Sequence, residues 1–539
     1  MANIFKKVID RMMWVSVPPL PTAHSTAVAM CSDLRSDISR NPFVYQLASN
    51  SVLNRYNIVT KGSNFVQSPA LTGTFGAGAA MAFVPSFGAV GTIAAGATTT
   101  SVVLSTALAT AVGVNMLANR GGSGDRGFKL RIIDTVAGKT AERYIVANTG
   151  GTTPTITVES SFGFTPATGA RYELVAGRVF MLGAGTTAAN IWRSLEVSTN
   201  TLSSGLSTTG LPATISTDSH ILVLDEQYTP YDCNPGDGFI KGAYNYDTGV
   251  VQRFALTATA SAAGTLTGQA SAGDAVVAAN EFRNFQIRIV EDTVTPTAVG
   301  QRRIISLHTA GPSPVYTLGG GNWTVTPSSS AKFVIEYPNL IVVRSTANTT
   351  TYTYNYMDAT INNGTNSIAT NAWSTTYFGA GSANNAAGGF WVPSFGIRPD
   401  TPRNSRNSFC YYFRGGNTAT VDLFDIAGGT TGSWTANIVI DGAVAMNTGS
   451  CAAYAPFGQE GRMGYINSYV ASGISQIFRF DVKNRVLSPY TPTDDLQAGT
   501  AAVGNRLAAY VALDGTDVYD VILLQSHLVA RAQELIPLV

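Results

Sequence analysis

Charge is scarce in this chain of 539 residues: Asp, Glu, Lys and Arg together make up 12%, and 34 basic against 33 acidic side chains leave a formal net charge of +1. A nucleic-acid-binding surface normally needs a clustered basic surplus, so composition does not point to tight phosphate contacts. Only four cysteines occur, Cys31, Cys233, Cys410 and Cys451, far apart and without C-x-x-C spacing. They read as buried small hydrophobes of a protein made in a reducing compartment. The four histidines, His24, His220, His308 and His527, are scattered and form no metal-ligand spacing. Long apolar runs are missing too. The N-terminus carries charges within its apolar stretch, which excludes a signal-peptide core. The nearly uncharged segment 76–117 is rich in Ala, Gly and Thr with one proline, Pro85, which argues against a membrane span and against stable membrane insertion. Helical periodicity is weak almost everywhere. With 54 glycines, the chain reads as all-β, and its length predicts more than one domain.

What is present is repetition. The stretch Gln476 to Leu524 reads as four short antiparallel strands: Phe478 and Phe480 alternate with polar residues, Lys483 and Asn484 form a tight turn, and Asp514-Gly515 occupies a hairpin turn. Such a unit cannot bury both faces alone and predicts stacked copies, as in a β-propeller. Its outline recurs at Phe43 to Leu53, at Trp192 to Leu202 and at Ala243 to Phe254. A sharper echo pairs Thr74 to Gly88 with Tyr377 to Gly396: both contain Phe-Gly-Ala-Gly and end in Val-Pro-Ser-Phe-Gly, which predicts the same edge of two blades.

A second kind of repeat lies among the blades. Arg126-Gly-Phe-Lys-Leu-Arg-Ile-Ile-Asp matches Arg283-Asn-Phe-Gln-Ile-Arg-Ile-Val-Glu, and Arg143-Tyr-Ile-Val-Ala-Asn-Thr matches Arg303-Ile-Ile-Ser-Leu-His-Thr. Pro154 pairs with Pro314, Thr165-Pro166 with Thr326-Pro327, and Ala170-Arg-Tyr-Glu-Leu with Ala331-Lys-Phe-Val-Ile; the offset grows only from 157 to 161 residues. This is an internal duplication of a small β module. Insertions of that size belong on loops of one propeller face, where added length costs little entropy.

The expected fold is an all-β, kelch-like β-propeller of about six blades, with two duplicated small β-barrel or sandwich modules inserted between blades, plus N- and C-terminal docking arms. The divisions are an N-terminal arm 1–23, propeller 24–90, first module 91–176, propeller 177–257, second module 258–337, propeller 338–524 and a C-terminal docking segment 525–539. In the first arm, Ile4, Phe5, Val8, Ile9 and Met12 precede Val17-Pro-Pro-Leu-Pro21, an extended segment expected to lie along a neighbour or over the body. In the last segment, Leu528, Val529, Ala532, Leu535 and Ile536 have helical spacing and would need a docking partner.

The motifs nearest to known chemistry have structural readings. Ala137-Gly-Lys-Thr140 resembles the end of a phosphate loop, but Ile133 stands where a glycine is required and a strand pattern follows. Gly121-Gly-Ser-Gly124 lacks the context of a nucleophile elbow, Asp232-Cys-Asn-Pro-Gly-Asp-Gly238 reads as a turn before a calcium loop, and Asp494-Asp495 as solvated loop charges. No residue is assigned to catalysis, a cofactor or a metal. The blade pattern loosely resembles a kelch blade; that likeness would imply the copper site of galactose oxidases, built from two tyrosines and two histidines, and no motif carries those residues onto this sequence.

The Ala/Gly/Thr-rich style of the chain and the wording of its modules resemble virion proteins of tailed bacteriophages. Within them, the chain is similar to the propeller-based tail nozzle (tail tubular protein) of short-tailed phages. The resemblance implies a non-enzymatic virion structural protein in the tail, made in the host bacterial cytoplasm. It also implies a cyclic homo-oligomer that contacts the adaptor and fibre proteins, with genomic DNA as a partner only in transit through the channel. Near-neutral charge suits a channel in which DNA must slide. The alternative is a virion surface fibre or glycan-binding receptor-recognition propeller, for which Trp192, Trp323, Trp373, Trp391 and Trp434 are the candidate stacking residues. A third reading, a depolymerase, would need paired carboxylates converging from separate blades.

Overall fold

The computed structural model describes residues 12–16, 29–33, 43–49, 52–57, 66–67, 71, 75, 79–118, 128–183, 191–203, 205–212, 220–228, 242–245, 250–253, 255–269, 278–344, 350–357, 361–363, 366–375, 377–379, 389–394, 409–446, 450–454, 463–470, 474–489, 506–513, 519–526 and 532–537. Among the described residues there is no α-helix, only strands and the two 3-10 turns Glu226–Tyr228 and Pro296–Ala298.

Six four-stranded antiparallel sheets form the propeller. From the innermost strand outward, the first blade is Ala29–Ser32, Phe43–Ser49, Val52–Asn57 and Val66–Gln67. The second is Ala80–Val84, Arg178–Gly183, Ile191–Glu196 and Thr201–Leu202; the third is Ile221–Leu224, Leu340–Arg344, Thr351–Asn355 and Ala372–Ser374. The fourth is Phe390–Pro393, Phe409–Phe413, Val421–Asp425 and Ser433–Thr435, and the fifth Cys451–Tyr454, Met463–Val470, Ile474–Asp481 and Val486–Pro489. The sixth joins Arg506–Leu513, Tyr519–Ser526 and Ala532–Pro537 to the N-terminal strand Met12–Ser16. Each innermost strand touches the innermost strand of the next blade, and Arg506–Leu513 returns to Ala29–Ser32, so the ring closes.

Aromatic side chains fill the seams. Trp192 of the second blade meets Tyr354 and Trp373 of the third at ring-centroid distances of 5.2 and 5.1 Å. Phe480 of the fifth blade meets Tyr411 and Phe413 of the fourth at 5.0 and 5.3 Å. Blades present alternating apolar faces that only a neighbouring blade can cover, which is why the aromatic strands fall at these seams.

The two echoed motifs place Ala80–Val84 and Phe390–Pro393 at the same position, the innermost strand of a blade. Other segments depart from the sequence pattern. Gln476 to Leu524 is not one blade: its first two strands are the outer half of the fifth blade and its last two the inner half of the sixth. A four-strand pattern has no phase marker, because every hairpin in a propeller looks alike in sequence. The recurrence at Ala243 to Phe254 forms a separate two-stranded hairpin, Gly242–Asn245 with Val250–Arg253. The helical spacing at the C-terminus is overridden as well. Ala532–Pro537 is a strand, because an open sheet edge supplies backbone partners that a short isolated helix cannot match. Residues 1–11, Asp514-Gly515 and Asp494-Asp495 lie outside the described residues.

The duplicated stretches each form six strands: Val90–Thr92, Ser101–Val103, Lys129–Asp134, Lys139–Asn148, Thr155–Val158 and Arg171–Val175, then Leu256–Ala262, Thr265–Gly268, Gln286–Glu291, Arg302–His308, Val315–Leu318 and Lys332–Glu336. The second set closes into a barrel, since Gln286–Glu291 pairs with both Arg302–His308 and Lys332–Glu336. The first closes through the bridge Ile93↔Leu104. These modules do not sit between blades. Each interrupts a blade, entering between the first and second strands of the second and third blades. Equivalent hairpins of adjacent blades open on one face, so the barrels stand side by side and join: Lys139 pairs with Glu291, and the Asp292 amide donates to the Gly138 carbonyl at 2.8 Å.

Candidate functional site

Where the two barrels meet the propeller, charged side chains are buried together. Arg131 lies mid-strand in the first barrel, and its guanidinium reaches Glu142 Oε2 at 2.7 Å and Glu173 Oε2 at 2.9 Å from neighbouring strands of that barrel. Its remaining contact is with Glu226, which follows the innermost strand of the third blade. Arg302 of the second barrel reaches the same Glu226 at 3.3 Å and Glu173 at 3.6 Å, and Arg171 pairs with the other oxygen of Glu173 at 3.0 Å. Asn339 exchanges hydrogen bonds with Glu226, donating from Nδ2 at 3.2 Å and accepting its backbone N–H at 3.0 Å. Beside it Arg288, the duplicate of Arg131, forks onto Glu336 at 2.8 and 3.0 Å. Both barrels and the third blade are thus tied through Glu226.

The electrostatics follow from this pairing. Burial alone would raise the Glu173 carboxyl, but Arg302, Arg131 and Arg171 together outweigh it and hold it at about 2. Burial would lower the Arg131 guanidinium; Glu226, Glu142 and Glu173 overcome that and push it well above its ordinary value.

Asp225 faces the opposite way, into the propeller. It is fully buried and accepts from Ser86 Oγ at 2.6 Å, from the Gln227 amide at 2.7 Å and from the Tyr356 hydroxyl at 2.8 Å. Burial, with Glu226 adding repulsion, raises it to about 6, and the hydrogen bonds only partly counteract this. Ser86 belongs to the Val-Pro-Ser-Phe-Gly motif of the second blade, so the dipeptide Asp225-Glu226 holds blades with one carboxylate and barrels with the other. A recess of about 330 Å³, part of it open solvent, adjoins the junction between Phe87, Arg171, Arg302, Asn339 and Met357.

Carboxylates from separate elements do converge here, as the depolymerase reading requires. Glu142, Glu173 and Glu226 are each engaged by arginine, which leaves a paired junction rather than an acid and a base held apart. Sequence reasoning missed the site. The one available signal was that arginines recur at 131 and 288 inside apolar strands, positions where an unpaired charge would be costly.

The residues singled out from sequence fall elsewhere. Ala137-Gly-Lys-Thr140 is the strand turn at the barrel seam, with Gly138 at φ +66°. His220 Nδ1 accepts the Trp391 amide at 3.3 Å, between the third and fourth blades. His308 is buried in the second barrel; Nε2 accepts the Phe282 amide at 2.9 Å and Nδ1–H donates to the Thr309 carbonyl at 2.8 Å. Cys31 is half-buried, and Cys410 and Cys451 are buried as free thiols. Burial pushes the Cys410 thiol up. Trp192, Trp323, Trp373 and Trp391 are buried and offer no free face for stacking a sugar, and Trp434 is half-buried with Nε1–H donating to the Phe378 carbonyl at 3.2 Å and the Arg344 guanidinium over its ring. Cys233, His24, His527, Gly121 to Gly124 and Asp232 to Gly238 lie outside the described residues. Among the described residues no group of three His, Cys, Asp or Glu could hold a metal ion, and no helix is long and apolar enough to cross a membrane.

No family model matches the chain, and no curated protein does. Among solved structures it is similar to a mutant of NanB sialidase from Streptococcus pneumoniae, with 9% identity, a TM-score of 0.24, and 97% of this chain and 93% of that one covered. A structure titled NanB plus Optactamide matches with 8% identity and a TM-score of 0.23, covering 99% and 95%. At such TM-scores the likeness carries neither fold nor activity to this chain.

Proposed function

We propose that this chain is a non-enzymatic structural protein of a tailed-phage virion, a ring-forming tail nozzle or hub that continues the DNA ejection channel and anchors neighbouring tail proteins. The observation that carries the reading is the junction around Glu226: twin barrels rise from equivalent hairpins of adjacent blades and are fixed to the propeller by buried ion pairs. A platform held in one orientation suits a scaffold that must present the same surface in every copy of an assembly. The phage assignment itself rests on the resemblance in style and module wording. The innermost strands, such as Ile221–Leu224 and Phe390–Pro393, are apolar and pack against one another, so in this reading DNA passes between copies, through the middle of the ring. The fibre or glycan-binding alternative draws less support, because four of its five tryptophans are buried in blade seams and barrel core and only Trp434 is half-exposed.

The test is the mass of the native assembly together with the position of labelled copies on the particle. A cyclic oligomer at the tail is the expected result. A single-chain mass, or label dispersed over the head or at fibre tips, would overturn the nozzle reading.

A further inference from the structure

Asn148 and His308 occupy the same place in the matched stretches Arg143 to Thr149 and Arg303 to Thr309. Each is clasped by an asparagine in the left-handed region. Asn115, at φ +57°, accepts the Asn148 amide at 3.2 Å and donates its own to the Asn148 carbonyl at 2.9 Å; Asn280, at φ +62°, does the same for His308 at 2.9 and 3.1 Å. Asn148 Oδ1 then accepts the Leu117 amide at 2.8 Å while Nδ2 donates to the Thr149 carbonyl at 2.8 Å. His308 repeats both bonds: Nε2 accepts the Phe282 amide at 2.9 Å and Nδ1–H donates to the Thr309 carbonyl at 2.8 Å. A side-chain amide can do this at any pH, whereas an imidazole can do it only while neutral, because its protonated form has two donors and no acceptor.

We propose that His308 is an acid-sensitive latch: a proton taken up at Nε2 removes the acceptor for the Phe282 amide and loosens the foothold of the second barrel on the fourth blade. Phe282 and His308 are each only 2% exposed, so water has little access to replace the lost bond. The held segment is the foothold itself. Two residues on, Asn284 Nδ2 donates to the carbonyls of Ile426 at 2.7 Å and Gly429 at 3.3 Å in the turn after Val421–Asp425, and the Asn284 carbonyl accepts the Tyr377 hydroxyl at 3.2 Å. Phe282 also stacks on the His308 ring at 5.7 Å and meets Phe285 edge-on at 6.1 Å, so ring and backbone move together.

The groups around His308 favour its neutral form. Burial lowers its pKa below the ordinary 6.5, Arg283 on the held segment adds repulsion, and the bond to Thr309 counteracts them only partly. Tyr316, from the neighbouring strand, lies 5.4 Å away, and burial and Glu281 keep its hydroxyl protonated. Arg303, on the strand of His308 itself, is turned to the Asn322 carbonyl and Thr324. With the folded pKa depressed, the latch is fully closed above about pH 6.5 and its contribution is lost as pH falls from there toward the folded value. The first barrel, with Asn148, has no such dependence.

The experiment is amide exchange of the full-length chain at about pH 7.5 and about pH 5.5, corrected for intrinsic rates, comparing segment 278–285 with its counterpart 113–118. Acidification should lower protection of 278–285 by up to about tenfold, one pH unit below the ordinary histidine value, and leave 113–118 unchanged. His308→Asn, which installs the first barrel's residue, should abolish the change. Asp225 cannot mimic it, since its raised pKa makes acidification stabilising there. Equal protection at both pH values in the unsubstituted chain, or the same loss in His308→Asn, overturns the latch. Should that variant fail to fold, the titration of His308 in the unsubstituted chain decides: a pKa below 6.5 is expected, and one at or above it shows that the fold tolerates the charged ring and overturns the proposal.

Discussion

Arg131 shows what a single residue contributes here. Its guanidinium is buried against Glu142, Glu173 and Glu226, and removing it would leave three carboxylates short of a counter-charge. Arg131→Met is expected to cost about 3–5 kcal/mol, measured by denaturant unfolding; a cost under about 1 kcal/mol, the range of an exposed pair, would refute the clamp. The two perturbed carboxyls predict opposite pH responses. Glu173 titrates at about 2 in the fold, below its ordinary range, so its contribution is complete above about pH 4.5 and is lost as pH falls toward 2. Asp225 titrates at about 6, above its ordinary range, so its burden is absent below about pH 4, grows as pH rises and is complete above 6. Each is worth about 3 kcal/mol at its limit. Asp225→Asn should therefore remove the decline of stability between about pH 4 and 6; an unchanged stability-against-pH profile would show that another group carries it.

Arg344 makes a related point in the seam of the third and fourth blades. It is buried between the rings of Tyr412 and Trp434, 4.4 Å from each centroid, with Asp422 Oδ2 at 3.4 Å. Lysine has the charge but not the plane, so Arg344→Lys is expected to destabilise by about 1–3 kcal/mol in thermal unfolding, and recovery of wild-type stability would argue against the stacking.

Among elements, the turn from Asp134 to Lys139 carries the most consequence. Asp134 Oδ1 accepts the amides of Val136 and Ala137, while in the second barrel Asp292 Oδ1 accepts those of Val294 and Thr295. The duplicated turns then meet. Thr140 Oγ1 donates to the Val290 carbonyl at 2.8 Å, and Gly300 lies against Ile133. By the sequence match Thr140 corresponds to Gly300 and Val290 to Ile133, so the barrels join through equivalent edges, like the two halves of a symmetric dimer. A β-carbon at Gly138 would lie 2.2 Å from the Asp292 carbonyl oxygen, and its φ is +66°. Gly138→Ala should loosen the barrel seam, read as faster amide exchange at Thr140 and Asp292 than in the wild type; unaltered exchange would mean the seam does not depend on this approach.

At the scale of the whole molecule, alternation, turn residues and the 157-to-161 offset made strands, blades and duplicated modules legible, because period-2 patterning and local turn chemistry are properties of neighbouring residues. Blade phase was not legible, and the unit drawn from Gln476 to Leu524 straddles two blades. Nor was the C-terminal strand, whose apolar spacing also fits a helix until a sheet edge is there to receive it. Sequence by itself determined that the chain is all-β, repetitive and twice interrupted by one module. Only the tertiary structure decided that the modules enter adjacent blades at equivalent hairpins and that their arginines meet on Glu226. The physical reason is range: patterning is set within a few residues, whereas Arg131, Glu226 and Arg302 are brought together only when separate elements pack and exclude water around them.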